Sequence, residues 1–231
     1  MAVQQEAALT LYLDGEPFAD ATNRVLRLSV EESTQGAALL CVALDLAPAG
    51  SPNGPAEQRD WDLLADGRFA LLHSISVEIA VGPPQAEPTA RAIVFHGYIT
   101  AVAPTFGEAR VPDSCLELTA LDASCLMHFE ERTVAHVGKS DAEIVRQIYE
   151  SYGFGVDIEP TATVRTPERG PLVQRTTDAE FIRLLARRNG YEAYVEHDST
   201  PIKKGASTGA EVIGHFHSPR LSQKPQPRLD L

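Results

Sequence analysis

Two histidines near the end of the sequence, His215 and His217, have the residue type and spacing of metal ligands. They flank Phe216, and alternate residues of a β-strand point to the same face, so both imidazoles could reach one ion. No cysteine and no third histidine stands nearby in the sequence to complete a ligand set. We therefore predict no metal site and no cofactor, and we expect two solvent-facing histidines.

Cysteine chemistry is the second candidate. Cys125 and His128 are three residues apart, as a thiol nucleophile and its base would be on a helical turn. The surrounding segment ASCLMHF is apolar, and such surroundings raise the pKa of a thiol and keep it unreactive. Cys41 and Cys115 complete a widely spaced set of three. We predict buried free thiols, as in a reducing cytoplasm, and no disulfide frame.

Hydrolysis by a pair of carboxylates is a third possibility. The candidates are Asp14, Glu31, Glu32 and Asp122. The sequence contains 32 aspartate and glutamate residues, however, and no spacing singles out a pair. We predict no catalytic residues and no enzymatic activity.

The tripeptide GKS at 138–140 looks like the end of a phosphate-binding loop. The complete pattern needs a glycine at position 133, where the chain has Thr133. Lys139 and Ser140 are better explained as the entry to a capped helix, and we reject nucleotide binding.

The charge and the N-terminus exclude several classes of partner. A formal net charge of −12 argues against nucleic acid and membrane surfaces, whose protein ligands usually carry a basic field. The N-terminal segment MAVQQEAALTLYLDGE has no basic region before an apolar run, so no secretory signal is visible. No stretch approaches the roughly 18 apolar residues of a membrane span. We expect synthesis in the cytoplasm.

Residues 1–122 are patterned mainly as strands. Segments such as ALTLYLD and RVLRLSVEE alternate apolar and polar residues, as half-buried strands do. Further strand candidates are ALLCVALDL, HSISVEIAVG, RAIVFHGYITAVAP and SCLELTALD. Six strands joined by short loops predict an antiparallel β-barrel or sandwich.

Residues 123–200 change to a small α/β domain that contains the same helix-then-strand pattern twice. The first helix follows Ser140 with Glu143 at its third position, a capping box, and the second follows Thr177 with Glu180 in the same way. Gly153 and Gly190 then end the helices. Residues 201–231 are expected to be a linker and the start of a further strand or second barrel, incomplete here.

Arg183, Arg187 and Arg188 form a basic streak on the second helix. Such a streak is usually a solvated face paired with local acids. The alternative is an intersubunit face that meets an acidic partner.

The order and spacing of several short motifs carry a resemblance to a known family. They run from FHGYITAV through LELTALDASCLMHFEERTV and SDAEIVRQIYESYG to LVQRTTDAEFIRLLARRNGYEAYV. The stretch 95–197 resembles the phage late control gene D protein family. That family is similar to the baseplate hub of contractile phage tails and to the hub portion of VgrG spikes in type VI secretion. The matching positions are Gly97, Ile99, Ala120, Asp122, Tyr152, Gly153, Gln174, Thr177, Asp178, Phe181, Leu185, Ala186, Gly190 and Tyr191.

The resemblance implies a structural role without catalysis. Hubs of this family are homotrimers that connect the spike to the inner tube, and they contact other baseplate proteins. Each protomer usually carries two tail-tube-like barrels with a small α/β insertion between them, which matches threefold to sixfold symmetry. The expected location is therefore a phage tail or injection particle, with no membrane contact before firing. The 20 residues of VIGHFHSPRLSQKPQPRLDL are too few for the second barrel.

Two alternatives stay open. One is a tail-associated peptidoglycan hydrolase, which would need a carboxylate pair or a metal set in a cleft. The other is a monomeric module that binds cargo or an adaptor through an acidic barrel surface. The pattern fits a phage tail, a secretion system and an extracellular injection particle equally.

Overall fold

The computed structural model describes residues 6–32, 36–46, 62–65, 67–83, 87–106, 114–162, 170–200 and 210–220. The chain divides into two units. The first comprises Met1–Leu126 and Val195–Val212, and the second comprises Met127–Tyr194 and Ile213–Leu231.

The first unit is built on one seven-stranded antiparallel sheet with the order β2-β1-β5-β6-β7-β4-β3. Six of its strands coincide with the predicted ones, because alternating apolar residues need one buried face. These apolar side chains form a single core that includes Leu11, Val42, Val77 and Phe95. The strands are β1 (Glu6–Leu13), β2 (Glu16–Pro17), β3 (Val25–Glu31), β4 (Leu39–Asp45), β5 (Ser74–Gly82), β6 (Ala90–Thr105) and β7 (Cys115–Asp122).

The sheet does not close into the predicted barrel. Closure would require β3 to pair with β1, and among the described residues no pairing joins them. The free edge of β1 is covered instead by the segment that comes directly after it in the chain. Asp14 and Gly15 both have positive φ and turn the chain back into β2. Beyond β2, the Phe18 amide donates to the Leu11 carbonyl at 2.8 Å, and the Leu11 amide donates to Thr22 Oγ1 at 2.9 Å.

Short helices connect the strands of the first unit. Helix α1 (Ala19–Asn23) carries Thr22 to the edge of β1 and buries Ala21 in the core. Helix α2 (Asp62–Ala65) and a 3-10 helix at Gly67–Phe69 lie between β4 and β5 in the chain. A further 3-10 helix, Ala123–His128, follows β7.

The second unit contains two helices and two small sheets. Strand β8 pairs antiparallel with β10, and a second sheet has the order β11-β12-β9, with β12 parallel to β9. In chain order the elements are β8 (Glu131–His136), α3 (Asp141–Ser151), β9 (Gly155–Ile158), β10 (Leu172–Thr177), α4 (Asp178–Asn189), β11 (Glu192–His197) and β12 (Val212–His217). The division between the units assigns the last three residues of β11 and the first residue of β12 to the first unit.

Each helix of the second unit buries one apolar stripe, as its spacing predicts. Helix α3 buries Ile144, Val145, Ile148 and Tyr149, and α4 buries Phe181, Ile182, Leu185 and Ala186. In the parts of the chain that the structure describes, no helix is long and apolar enough to cross a membrane.

Candidate functional site

The two helix starts are held by the residues that the capping pattern singles out. Ser140 Oγ accepts from the Glu143 amide at 3.2 Å, and the Ser140 amide donates to Glu143 Oε2 at 2.6 Å, which completes the capping box. The Ser140 amide and the Ser140 hydroxyl both donate to the Glu143 carboxylate and lower the pKa of Glu143. Thr177 Oγ1 accepts from the Glu180 amide at 3.3 Å, so the structure shows the threonine half of the arrangement in α4.

Asp178, the first residue of α4, is buried at the centre of a polar network. Its carboxylate accepts from Gln174 Nε2 at 2.7 Å and from the Tyr152 hydroxyl at 2.8 Å, and it pairs with Arg132 at 3.1 Å. Burial, together with the hydrogen bond to Asp178, raises the pKa of Tyr152 to about 12. The motif positions Gln174 and Asp178 therefore join β10 and α4 to the end of α3.

Asp141 holds the equivalent position in α3 and is also buried. It accepts from Arg188 Nε at 2.9 Å, from a second Arg188 nitrogen, and from Asn189 Nδ2 at 2.7 Å. One member of the predicted basic streak therefore forms an ion pair inside its own unit. On the same helix Arg187 is exposed and Arg183 is half-buried.

The motif positions of the first unit lie where β6 and β7 pair as antiparallel neighbours. Gly97 pairs with Asp122, and a Cβ at Gly97 would overlap the Leu121 carbonyl. Ile99 is fully buried in the core. Asp122 accepts from the Ala38 amide at 2.5 Å and from the Ser124 amide at 2.8 Å. Asp122 thus supports the turn after β7 and the entry to β4.

The remaining motif positions of the second unit serve the helix ends and the core. Gly153 and Gly190 have φ values of 76° and 67°, the left-handed conformation in which a side chain is strained. Phe181 and Leu185 are buried, and the Tyr191 hydroxyl donates to the Pro160 carbonyl at 3.0 Å.

The chemistry considered for the other candidates is not supported by their surroundings. Burial raises the pKa of Cys125 to about 12, so its thiol stays protonated at neutral pH. Asp14 binds His73 at 2.7 Å and the Ser74 amide at 3.0 Å. Lys139 donates to Gln147 at 2.5 Å, beside the helix cap and in no phosphate-binding loop.

A buried serine–histidine pair was not predicted. Ser76 Oγ and His96 Nδ1 are 2.8 Å apart on the neighbouring strands β5 and β6, and each residue is 2% exposed. Burial lowers the pKa of His96 to about 4, with a smaller contribution from His197. The pair resembles a nucleophile and its base, but such deep burial leaves no room for a substrate.

The prediction that the histidines of β12 face solvent is wrong. His215 is 8% exposed and His217 is 2% exposed, so both are buried. Parallel pairing sets His215 beside Asp157 of β9, with Nδ1 and Oδ2 3.2 Å apart. Tyr194 stacks on the His215 ring at 4.5 Å, and its hydroxyl is 3.4 Å from His217 Nε2. Asp157, His215, His217 and Tyr194 form what we call the histidine cluster.

The acid of this cluster could not be found from local spacing, since Asp157 is 58 residues from His215 in the sequence. Arg220 Nη2 also contacts Asp157 Oδ2, at 2.8 Å. Burial alone would raise the pKa of Asp157, but Arg220 and His215 hold it below its ordinary value. Beside Tyr194, the histidine cluster therefore contains one carboxylate and two imidazoles, which are donor types of transition-metal sites.

No family model and no curated protein matches the chain. Solved structures do match it. The 43 kDa tail protein of prophage MuSo2 from Shewanella oneidensis is 11% identical, with a TM-score of 0.54, over 90% of this chain and 53% of its own. The tail protein from Neisseria meningitidis MC58 is 11% identical, with a TM-score of 0.51, over 89% of this chain and 51% of its own. A chain of the Francisella PdpA–VgrG complex is 11% identical, with a TM-score of 0.53, over 92% of this chain and 28% of its own.

These similarities establish a shared fold: the chain has the β-rich fold of these two tail proteins and of a chain in the PdpA–VgrG complex. It spans about half the length of the two tail proteins and less than a third of the Francisella chain. The narrower late control gene D resemblance stays a prediction.

Proposed function

We propose that this chain is a structural hub protein of a phage tail or contractile injection particle, in which it connects the spike to the inner tube. The observation that carries the proposal is the fold shared with a prophage tail protein and a second tail protein over about nine tenths of this chain. Its partners are further copies of itself in a homotrimer, the spike protein, the inner tube protein and other baseplate proteins.

The residues at the motif positions support a structural and non-catalytic role. The carboxylates of Asp141 and Asp178 are engaged by side chains of their own unit. Gly97 and Asp122 are paired on the neighbouring strands β6 and β7, and the Asp122 carboxylate accepts from the Ala38 amide before β4. Side chains with such partners stabilise a fold, whereas a catalytic group must also reach a substrate.

The exposed face of α4 is the candidate intersubunit surface. Leu184 is 54% exposed and stands beside Arg183 and Arg187, so an apolar side chain is flanked by two cations. A partner with acidic groups around an apolar hollow would complement this face, and a chain with a net charge of −12 can supply the acids. Arg188, the third arginine of the streak, is paired with Asp141, and its side chain is 31% exposed at the edge of this face.

Native mass tests the proposal. Light scattering of the purified chain, over a range of concentrations, is expected to show a species near three times the chain mass of 25.0 kDa. Co-sedimentation with the tube and spike proteins of the same particle provides the second measurement. A chain that neither self-associates nor binds either protein contradicts the hub function.

A matched pair of charge reversals tests the surface. Arg187→Glu is expected to weaken association about tenfold or more, because it places like charges at an acidic contact. Arg146→Glu changes an exposed arginine on α3 that lies 4.0 Å from Glu150, and it is expected to have no effect on association. Salt-sensitive binding by a monomer would instead favour the adaptor alternative.

A further inference from the structure

Strands β9 and β12 bring together three side chains with metal-binding donors. One ring nitrogen from each of His215 and His217 and one carboxylate oxygen of Asp157 all lie within 4.8 Å of one another. The pairing of β12 with β9 sets His215 Nδ1 3.2 Å from Asp157 Oδ2. Two imidazoles and one carboxylate form a common donor set of three-ligand zinc sites.

The surroundings orient the His217 ring as metal ligands are usually oriented. His217 Nδ1 donates to the Ser218 carbonyl at 2.8 Å, so Nε2 is the atom that would bind an ion in place of its 3.4 Å contact with the Tyr194 hydroxyl. Ser218 is held in turn by Glu159, which accepts from its amide at 2.9 Å and from its hydroxyl at 2.7 Å. A chain of hydrogen bonds from the end of β9 therefore fixes the ring on β12.

We propose that Asp157, His215 and His217 bind one divalent transition-metal ion, best matched by Zn²⁺, with water as the fourth ligand. Zinc bonds of about 2.0–2.1 Å at tetrahedral angles hold ligand atoms roughly 3.3 Å apart. Because all three ligand atoms lie within 4.8 Å of one another, no separation has to close by more than about 1.5 Å. Rotation of the carboxylate of Asp157, whose side chain is 38% exposed, provides that movement. The same exposure gives the ion a path from solvent.

The bound ion ties β9 to β12 and so stabilises the second unit. Arg220 opposes binding, because its guanidinium lies 2.8 Å from the carboxylate oxygen that faces His215. The ion displaces this cation or draws the other carboxylate oxygen. This inference concerns the second unit alone and holds whether or not the chain assembles into a hub.

Cobalt titration tests the site. The untagged full chain is stripped with a chelator and titrated with Co²⁺, whose visible absorption reports coordination number and donor type. We expect one ion per chain, a tetrahedral spectrum of nitrogen and oxygen donors, displacement by Zn²⁺, and a higher Tm with Zn²⁺ than with chelator. Asp157→Ala and His217→Gln are each expected to weaken binding about 100-fold or more.

Two further variants keep the test decisive. His73→Gln removes the histidine of an exposed histidine–aspartate pair, 2.7 Å from Asp14, and is expected to leave the affinity unchanged. Arg220→Ala is expected to tighten binding several-fold, because a positive charge next to the ion is removed. Binding that is unaffected by Asp157→Ala and Arg220→Ala, a thiolate band from the cysteines, or no saturation below about 1 mM would overturn the proposal.

Discussion

Asp141 and Asp178 are the first residues of α3 and α4, and each is buried and held by a side chain from the far end of the other helix. Arg188 and Asn189, at the end of α4, bind Asp141. Tyr152, at the end of α3, binds Asp178 at 2.8 Å. The first residue of each helix is therefore bonded to the end of the other helix, and we call these contacts the helix clamp. Each carboxylate also lies at a helix N-terminus, where the helix dipole favours negative charge.

Removal of either carboxylate is expected to destabilise the second unit strongly. Asp141→Ala leaves Arg188 without its buried partner. Asp178→Ala removes the acceptor of the Tyr152 hydroxyl and the shorter of two hydrogen bonds of the Gln174 amide. We expect each change to lower the free energy of unfolding by about 3 kcal/mol. Urea denaturation followed by circular dichroism measures this loss.

Glu150, an exposed acid on the same helix as Asp141, is the matched control for Asp141→Ala. Glu150→Ala removes a carboxylate that is 4.0 Å from Arg146 and more than half exposed, and it is expected to cost less than about 0.5 kcal/mol. A double-mutant cycle between Asp141 and Arg188 should give a coupling energy of at least about 1 kcal/mol. Equal effects of Asp141→Ala and Glu150→Ala would show that the clamp does not stabilise the unit.

Gly97→Ala is expected to disrupt the sheet of the first unit. The new Cβ would overlap the Leu121 carbonyl and lie 2.9 Å from the Cα of Asp122, both on the paired strand β7. Because backbone cannot move aside without breaking the ladder, we expect a loss of more than about 3 kcal/mol, or failure to fold. At Gly67 the added Cβ of Gly67→Ala meets no atom within 4 Å among the described residues other than its chain neighbours, and this variant is expected to fold with nearly unchanged stability. Thermal unfolding compares the two variants.

The stability of the first unit is expected to fall between about pH 6.5 and pH 4. His96 is buried, and its pKa is lowered from 6.5 to about 4, so the unfolded chain takes up a proton in this range while the folded chain does not. The contribution is fully present above pH 6.5 and is lost as the pH falls towards 4, by at most about 3 kcal/mol.

Unfolding experiments at several pH values check this dependence. His96→Gln keeps a polar side chain beside Ser76 but cannot be protonated, and it is expected to flatten the slope between pH 6.5 and 4.5. A slope that does not change in this variant would assign the pH dependence to other groups.

Alkylation is expected to separate the three cysteines. Burial raises the pKa of Cys125 to about 12, whereas Cys41 and Cys115 are partly exposed. Iodoacetamide at neutral pH, followed by peptide mass spectrometry, should modify one or both of the latter and leave Cys125 intact. Rapid modification of Cys125 in the folded chain would revive the thiol-nucleophile hypothesis.

Local signals in the sequence were sufficient to predict the main elements. The alternation in residues 8–14 and 24–32 predicts strands where β1 and β3 lie, because a strand exposes one face and buries the other. The helix starts follow from side chains within four residues of one another, as with Ser140 and Glu143. Such signals need no knowledge of the rest of the chain.

Relationships between distant residues were decided only by the tertiary structure. Whether the sheet closes depends on which residues occupy the edge of β1, and Phe18 and Thr22 occupy it because Asp14 and Gly15 turn the chain back on itself. Strand patterning does not reveal this, since every strand of a barrel or an open sheet alternates in the same way.

The histidine cluster and the helix clamp have the same origin. In sequence, His215 and His217 are two polar residues on a strand, and Arg188 is one arginine in a streak. Parallel pairing of β12 with β9 places His215 opposite Asp157, and the packing of α3 with α4 places Arg188 on Asp141. The sequence by itself determined the residue types and the local elements. Their partners were decided only by the tertiary structure. Burial of a charged or polar group without a partner costs free energy, and the partner that satisfies it can lie far away in the sequence.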